Sequence, residues 1–224
     1  MIKAVIFDYD GTLSNRQKSA YSFYREFLRP YVKDMSEVEY ESMLQDLIIY
    51  DDNGIIPFEY RMIPFLNKYG MYFPEGFDIT LRDNFYKGVC EYNVLKEDTL
   101  YVLNELKGKY KLGILSNGDS TIQHGKIDHV QISDYFDEIV VTGDVGIHKP
   151  DKRIFEYTLD KLNVKPEEAI MVGDVFASDI LGAINAGMKT AWILEDSERP
   201  NDSYDGYRIR KLSELLDILR KEIL

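Results

Sequence analysis

Seven polar or charged residues lie directly after short apolar runs of the sequence, or in a loop beside them. They are Asp8, Asp10, Ser116, Asn117, Lys149, Asp174 and Asp179. If their four carboxylates met in one crevice, they would repel one another. Two like charges about 4 Å apart repel by about 4 kcal/mol at an effective dielectric of about 20. A hard divalent cation such as Mg²⁺ relieves this repulsion, because it prefers carboxylate, water and phosphate oxygens. These residue types therefore indicate a magnesium site suited to phosphoryl transfer.

The other members of the set fit the same chemistry. Lys149 supplies a fixed positive charge, while Ser116 and Asn117 offer a hydroxyl, an amide and backbone N–H groups to phosphoryl oxygens. Asp8 and Asp10 could divide covalent catalysis between them: one carboxylate attacks phosphorus, and the other acts as general acid and then as general base. A turn beginning at Asp8 is expected to bring both carboxylates to the site.

The short apolar runs predict the strands of an open α/β sheet. Each has four or five residues and is apolar throughout, which is typical of a strand buried on both faces of a parallel sheet. The predicted strands are residues 4–7, 112–115, 139–142, 169–172 and 190–194. Ligands of such sheets bind at the carboxyl ends of the strands. The topology would therefore gather the polar set in one crevice.

Helical spacing of apolar residues lies between the later strands. It covers residues 100–106, 154–162 and 180–186, and the last stretch ends near Gly187. The amphipathic residues 211–224 predict a closing helix. Alternating strands and helices with crossovers of this length favour right-handed connections between parallel strands.

Residues 15–90 interrupt this alternation with an aromatic-rich stretch of helical spacing. At roughly 75 residues it is far longer than an ordinary strand-to-helix loop, so it predicts a helical insertion with a small core of its own. An insertion at this point lies above the carboxyl edge of the sheet, a position that suits a lid. A bundle packed on the side of the sheet is the alternative. Within the insertion, Asp51, Asp52 and Asn53 are predicted to form a solvated turn.

The composition of the 224-residue chain limits the class of protein. Hydrophobic residues make up 45% of it, which is enough for a buried core. The single cysteine cannot form a disulfide within the chain. Neither a secretory signal nor a membrane-spanning apolar run of roughly 20 residues is found in the sequence. We therefore expect a cytoplasmic protein without a membrane partner. The net charge of −12 disfavours binding of long nucleic acid, whereas a small phosphorylated substrate is compatible with it.

Taken in order, the polar clusters resemble the four motifs of the haloacid dehalogenase superfamily. The matching residues are Asp8-x-Asp10-Gly11-Thr12-Leu13, Ser116-Asn117, Lys149-Pro150 and Gly173-Asp174-x₄-Asp179. The resemblance implies an α/β fold: a Rossmann-like open parallel sheet flanked by helices over residues 1–14 and 91–224, with an inserted α-helical cap domain over residues 15–90. Residues 146–155 and 173–187 are also similar to bacterial pyrimidine nucleotidases, in a pattern that is widespread among capped phosphatases.

The resemblance implies Mg²⁺ as the cofactor and assigns its ligands. Asp8 would be the nucleophile and a metal ligand, Asp10 would be the acid/base and bind the metal through its backbone carbonyl, and Asp174 would be the second carboxylate ligand. Dehalogenases of the superfamily work without a metal and lack the second carboxylate of the first motif. Because Asp10 and Asp174 are both present, a phosphatase acting on a nucleoside monophosphate or sugar phosphate is expected.

The resemblance also implies which residues bind the phosphoryl group. Ser116 and Lys149 would hold it, with Asn117 alongside. Asp179 would support the metal site or orient Lys149, and Thr12 belongs to the first motif as a supporting residue.

Two alternatives to a phosphatase stay open at this point. A phosphomutase of the β-phosphoglucomutase type would pass the phosphoryl group to a sugar hydroxyl instead of water, and the first motif does not separate the two. A catalytically silent binding module on the same fold is the non-enzyme alternative. Its usual mark is a lost nucleophile or metal ligand, yet Asp8, Asp10 and Asp174 are all present.

Overall fold

A computed structural model describes residues 1–51, 54, 56–194 and 203–222 of the chain. The chain forms two compact units. One comprises Met1–Asn15 and Leu95–Leu224, and the other is Arg16–Val94. A helical insertion was predicted over residues 15–90. The second unit begins one residue later than this prediction and ends four residues later.

The first unit contains a six-stranded parallel sheet. Its strands are β1 (Ala4–Phe7), β2 (Lys111–Ser116), β3 (Glu138–Val141), β4 (Ala169–Gly173), β5 (Lys189–Ile193) and β6 (Tyr207–Ile209). They lie in the order β3-β2-β1-β4-β5-β6, and every neighbouring pair is parallel. The predicted fold class, an open parallel α/β sheet flanked by helices, is confirmed.

Helices connect the strands and make up most of the second unit. In chain order they are α1 (Arg16–Leu28), α2 (Glu37–Asp51), α3 (Phe58–Tyr69), α4 (Phe77–Gly88), α5 (Thr99–Leu106), α6 (Ser120–His129), α7 (Thr142–Val145), α8 (Lys152–Leu162), α9 (Leu181–Asn185) and α10 (Leu215–Lys221). A π-helical turn, Phe176–Ile180, leads into α9. Among the residues that the structure describes, no helix has both the length and the apolarity that crossing a bilayer requires.

Strand β1 shows why the apolar runs lack alternation. Val5 and Phe7 join a core cluster that also holds buried residues of α5, α6 and α10. Ala4 and Ile6 join a second cluster, on the other face, with buried residues of α8 and α9. Since both faces of the strand are covered, all four of its side chains are buried and apolar.

All five predicted strands are confirmed to within one residue at either end. The sixth strand, β6, was not predicted, because Tyr207–Ile209 is only three residues long and contains Arg208. It lies at the edge of the sheet and pairs only with β5 among the described strands. An edge strand with one open face needs no continuous apolar run, so its sequence gives little signal.

The predicted helices of the first unit are found as α5, α8, α9 and the closing α10. The stretch predicted as one helix over residues 180–186 begins earlier, because the π-helical turn Phe176–Ile180 precedes α9. The closing helix is shorter than residues 211–224: a 3₁₀ turn, Leu212–Glu214, precedes α10, and the last two residues of the prediction lie outside the described ones.

Aromatic side chains form the core of the second unit. Phe23 and Tyr24 of α1 both contact Phe85 of α4, with ring centroids 5.4 Å and 5.2 Å apart. Phe58 of α3 contacts the same ring at 5.8 Å. All four side chains are buried, so this helical unit has an aromatic core of its own.

The prediction of a solvated turn at Asp51 is wrong. Helix α2 continues to Asp51, whose carboxylate is buried and paired with the guanidinium groups of Arg16 and Arg61. The Tyr24 hydroxyl donates to the same carboxylate at 3.0 Å. Two buried arginines make this burial possible, and both lie in helices other than α2, Arg16 in α1 and Arg61 in α3. Asp52 and Asn53, predicted as part of the same turn, lie outside the described residues.

The Asp51→Ala substitution tests the energetic weight of this buried cluster. It would leave the Arg16 and Arg61 guanidinium groups without their shared carboxylate in a buried environment, so we expect the free energy of unfolding to fall by about 3–5 kcal/mol. Urea denaturation of the full chain measures this change. Glu59→Ala, which removes an exposed partner of Arg82, is the matched control and should have little effect. Equal changes in the free energy of unfolding of the two variants would contradict the conclusion that the Asp51 carboxylate stabilises the two buried arginines.

Candidate active site

Three adjacent strands place the predicted residues at one edge of the sheet. Strand β1 lies between β2 and β4 and pairs with both in register. Asp8 directly follows β1, Ser116 is the last residue of β2, and Asp174 directly follows β4. Because all three strands are parallel, these residues meet at the carboxyl edge, although they are far apart in sequence.

The Lys149 ammonium lies at the centre of this edge and is 1% exposed. Its Nζ is 2.7 Å from Asp8 Oδ1, 2.8 Å from Asp179 Oδ1 and 2.8 Å from the carbonyl oxygen of Leu115. An ammonium group has three N–H donors, and these three acceptors satisfy them. Burial acts to lower the pKa of Lys149, but the Asp179 and Asp8 carboxylates outweigh it, so its pKa is raised and the group stays charged.

Three carboxylates cluster at this edge of the sheet, and two of them, Asp8 and Asp179, contact the ammonium group of Lys149. Asp8, Asp174 and Asp179 each present an oxygen within 4.8 Å of the others. Burial raises the pKa of Asp8 well above its ordinary value; Lys149 opposes this effect, and the charges of Asp179 and Asp174 add to it. Burial and then the charge of Asp179 raise the pKa of Asp174 to about 7. The cluster therefore holds more negative charge than Lys149 compensates.

The donor set fits a hard divalent cation. Three ionised carboxylates and one ammonium leave a net charge of −2, which a single Mg²⁺ would balance. Both oxygens of Asp179 already have partners: Oδ1 accepts from Lys149, and Oδ2 accepts from the backbone N–H of Val175 at 3.0 Å. Asp8 and Asp174 are therefore the carboxylates best suited to hold the cation. Asp179 instead holds Lys149, one of the two roles predicted for it.

The turn after β1 brings its backbone close to Asp174. Gly11 has a φ of +81°, and a Cβ atom there would lie 2.4 Å from Asp174 Oδ2. Any side chain at this position would collide with the carboxylate, so the turn requires glycine. The Thr12 hydroxyl lies 3.4 Å from Asp174 Oδ1, and the Tyr9 carbonyl closes the turn by accepting from the backbone N–H of Leu13 at 3.0 Å.

The Asp10 carboxylate is held by α6 rather than by Lys149. Lys126 Nζ lies 2.8 Å from Asp10 Oδ2 and 3.1 Å from Oδ1. Gln123 Nε2 donates to Oδ2 at 2.9 Å, and the Ser14 hydroxyl lies 3.5 Å from Oδ1. The carboxylate thus has a cation of its own, which leaves the predicted metal role of Asp10 to its backbone carbonyl.

Gln123 and Lys126 were not predicted as site residues. They lie three residues apart on α6, the first helix after Ser116-Asn117, so both fall on the same helical face. Both side chains are buried, beside the core residue Ile127. The sequence does contain a signal for them: a glutamine and a lysine three residues apart on the helix that follows the second motif. That signal is insufficient, because residue type alone does not show that these two polar side chains are buried.

The second motif is connected to both halves of the site. Gln123 Nε2 also lies 2.6 Å from Ser116 Oγ and 3.0 Å from the Asn117 carbonyl oxygen, so its two N–H groups are shared among these acceptors and Asp10. The side-chain amide of Asn117 accepts from the Lys149 backbone N–H at 2.9 Å and donates to the Lys149 carbonyl at 3.1 Å. Ser116, Asn117 and Lys149 therefore come together as expected, but the Asn117 amide is used to hold the Lys149 backbone.

Curated proteins of related sequence are named as phosphatases. The chain is 31% identical over 241 residues to the glyceraldehyde 3-phosphate phosphatase of Pyrococcus furiosus. The alignment covers 99% of this chain and 94% of that protein. It is 35% identical over 143 residues to the pyrimidine 5'-nucleotidase YjjG of Escherichia coli, covering 63% of this chain and 64% of that one.

The fold is also that of a solved structure, YfnB of Bacillus subtilis, which was determined bound to magnesium. The two superpose with a TM-score of 0.77 at 25% sequence identity, over 97% of this chain and 98% of the other. Residues 5–193 match the family described as haloacid dehalogenase-like hydrolase. These residues include every motif on which the resemblance was based. The chain therefore belongs to the haloacid dehalogenase-like hydrolase family.

Proposed function

We propose that the protein is a magnesium-dependent phosphatase that hydrolyses a small phosphorylated metabolite through an aspartyl-phosphate formed on Asp8. One observation carries this proposal: a buried Asp8 is paired with Lys149 beside the second carboxylate Asp174, while Asp10, two residues on, is held separately by α6. The names of the curated relatives, a phosphatase and a nucleotidase, support the same class of reaction.

In the first step, a carboxylate oxygen of Asp8 attacks phosphorus and forms a new P–O bond. The bond from phosphorus to the leaving oxygen breaks, and its electron pair stays on that oxygen. Asp10 donates a proton to the leaving oxygen, so the substrate departs as an alcohol. Lys149 keeps the Asp8 carboxylate in place through their 2.7 Å contact and adds a fixed positive charge beside the reacting group.

In the second step, water attacks the phosphorus of the aspartyl-phosphate. Asp10, now a carboxylate, accepts a proton from this water. The bond between Asp8 and phosphorus breaks, which returns the Asp8 carboxylate and releases inorganic phosphate. One residue thus gives a proton in the first step and takes one in the second, and the protein ends each cycle unchanged.

Asp8, Asp174 and the backbone carbonyl of Asp10 would hold the magnesium ion. When bound, Mg²⁺ neutralises negative charge on the phosphoryl oxygens. The Ser116 hydroxyl accepts from Gln123, so its own proton can be donated to a phosphoryl oxygen. Because the Asn117 amide holds Lys149, we propose that Asn117 contributes to phosphate binding by fixing that loop.

The proposed substrates are small phosphomonoesters, either sugar phosphates, including triose phosphates, or nucleoside monophosphates. The two named relatives represent these two groups. The helical unit Arg16–Val94 is proposed to be a cap domain, as its place after the first motif suggested. A cytoplasmic location, expected from the sequence, forms part of the same proposal.

The Asp8→Asn variant tests the nucleophile. The amide has nearly the same shape but cannot attack phosphorus, so we expect kcat to fall by about 10³-fold or more while the protein stays folded. Release of inorganic phosphate measures turnover, and circular dichroism checks the fold. Asp217→Asn, which changes an exposed aspartate of α10, is the control and should keep full activity. Substantial turnover by Asp8→Asn would argue against the covalent mechanism.

The Asp174→Asn variant tests the metal site. In the presence of a chelator we expect it to melt at a higher temperature than the wild type, because it removes one of three clustered carboxylates that repel one another. Adding Mg²⁺ should raise the melting temperature of the wild type, by linkage, and that of the variant much less. Thermal denaturation in chelator and in excess Mg²⁺ measures both effects. A variant that gains as much as the wild type would exclude Asp174 as a ligand.

A panel of phosphoesters tests the reaction class and narrows the substrate. It should contain triose phosphates, hexose phosphates and nucleoside monophosphates, each assayed with and without Mg²⁺. We expect release of inorganic phosphate that depends on the metal and is fastest within one of these classes. An isomerised sugar phosphate formed without free phosphate would identify a phosphomutase instead. No turnover of any ester by folded, metal-bound protein would favour the silent binding module.

A further inference from the structure

We propose that Gln123 and Lys126 are positioning residues for the acid/base Asp10, and that Lys126 in particular fixes the orientation in which the Asp10 carboxyl group meets the leaving oxygen. This inference rests on the proposed phosphatase function and adds two residues to it that lie outside the four motifs. Both act on the substrate through Asp10. Neither is required by the chemistry of Asp8, whose carboxylate has Lys149 as its partner.

Lys126 contacts both oxygens of the Asp10 carboxylate, at 2.8 Å and 3.1 Å. Its side chain is 8% exposed, and that of Asp10 is 24% exposed. Burying the long side chain of Lys126 costs rotamer entropy and removes its charge from water. The ion pair with the Asp10 carboxylate offsets this cost. Contact with both oxygens fixes the plane of the carboxylate as well as its position.

Gln123 makes the link between Asp10 and the phosphoryl-binding motif. Its Nε2 atom lies 2.9 Å from Asp10 Oδ2, 2.6 Å from Ser116 Oγ and 3.0 Å from the Asn117 carbonyl. The side chain is 2% exposed. One amide nitrogen therefore sets the distance between the carboxylate that moves the proton and the hydroxyl proposed to bind the phosphoryl group.

Helix α6 can hold these two side chains firmly. Its N-terminal cap, Asp119, accepts from the backbone N–H of Ile122 at 3.2 Å, and Ile127 is fully buried in the core beside the sheet. Gln123 and Lys126 lie between these two fixed points and share a face of the helix. The carboxylate of Asp10 is thus held by a helix that is itself anchored to the sheet.

Asp10 needs such support because of its place in the chain. In an extended strand, Asp8 and Asp10 would project on the same side, but the turn that starts after β1 changes the direction of the chain between them. Contacts from Gln123 and Lys126 of α6 hold the Asp10 carboxyl group in one position, and with it the distance to the leaving oxygen. Proton transfer depends steeply on that distance.

A positioning role and a merely structural role predict different results for Lys126→Met. The methionine keeps the apolar volume of the stem but removes the ammonium, and replacing a buried ion pair with apolar groups is often neutral or stabilising. A structural role would therefore leave activity unchanged if the fold is kept. A positioning role predicts a loss confined to substrates whose leaving group needs a proton.

The experiment compares two substrates of different leaving-group basicity. An alkoxide is strongly basic and must be protonated as it leaves, whereas p-nitrophenolate is weakly basic and leaves without a proton. We measure kcat/KM with p-nitrophenyl phosphate and with the primary alkyl phosphate that wild-type enzyme hydrolyses fastest in the panel. For Lys126→Met we expect a fall of about 10–100-fold with the alkyl ester and less than about threefold with the aryl ester. Asp10→Asn should show the same selectivity with a larger loss.

Three further variants make the result specific. Lys126→Arg keeps the charge and should retain more alkyl-phosphate activity than Lys126→Met. Gln123→Leu should also lose activity preferentially with the alkyl ester, and it provides a second test if Lys126→Met does not fold. His124→Ala is the matched control: it removes a side chain of α6 that contacts Asp144 at 2.8 Å instead of Asp10, and both activities should be unchanged.

Several outcomes would overturn the inference. Equal losses of kcat/KM with both esters in Lys126→Met and Gln123→Leu would show that they disturb phosphate binding or folding instead. Full alkyl-phosphate activity in folded Lys126→Met would show that Asp10 needs no such partner. If wild-type protein hydrolyses neither ester, the proposed phosphatase function itself fails. A different result would reject only the role of Lys126 and leave the phosphatase function intact. In that case the wild type is active and Asp10→Asn loses activity mainly with the alkyl ester, but Lys126→Met does not.

Discussion

The burial of one ammonium group among three carboxylates is the constraint on which the candidate site depends. Lys149 contacts Asp8, Asp179 and the Leu115 carbonyl, and so joins the ends of β1 and β2 to the π-helical turn after β4. A buried charge is tolerated only with partners of opposite sign, which keeps these loops together. The same contacts leave the cluster with excess negative charge. That excess destabilises the metal-free site and favours a divalent cation, so one interaction serves both the architecture and the proposed chemistry.

The two carboxylates of the first motif are managed by different parts of the fold. Asp8 is buried against Lys149 in the acidic cluster, whereas Asp10 is paired with Lys126 on α6. Two separate cations allow neighbouring aspartates to take the two different roles proposed for them, nucleophile and acid/base. Gln123 keeps the two halves in a constant relation, because it contacts Asp10 and the second motif with one nitrogen atom.

The helical unit uses a buried charge in another way. Asp51 is shared by Arg16 at the start of α1 and Arg61 in α3, so a single carboxylate connects three helices beside an aromatic core. A buried ionic group of this kind adds less stability than apolar packing would, but it disfavours arrangements in which its partners are separated. We interpret the cluster as a device that selects one packing of helices whose aromatic side chains could otherwise pack in several ways.

Residue type and spacing alone were enough to predict the sheet, five of its strands and the gathering of the motif residues at one edge. This succeeded because strands buried on both faces must be apolar throughout, and because parallel strands bring their carboxyl ends together. The sequence could not predict β6, the burial of Asp51 or the contacts of Gln123 and Lys126 with Asp10. Each of these depends on partners in other elements of the fold: β5 for the edge strand, two arginines for Asp51, and Asp10 for α6. Only tertiary structure decides whether a polar side chain meets water or a buried partner, because the same residue serves either purpose.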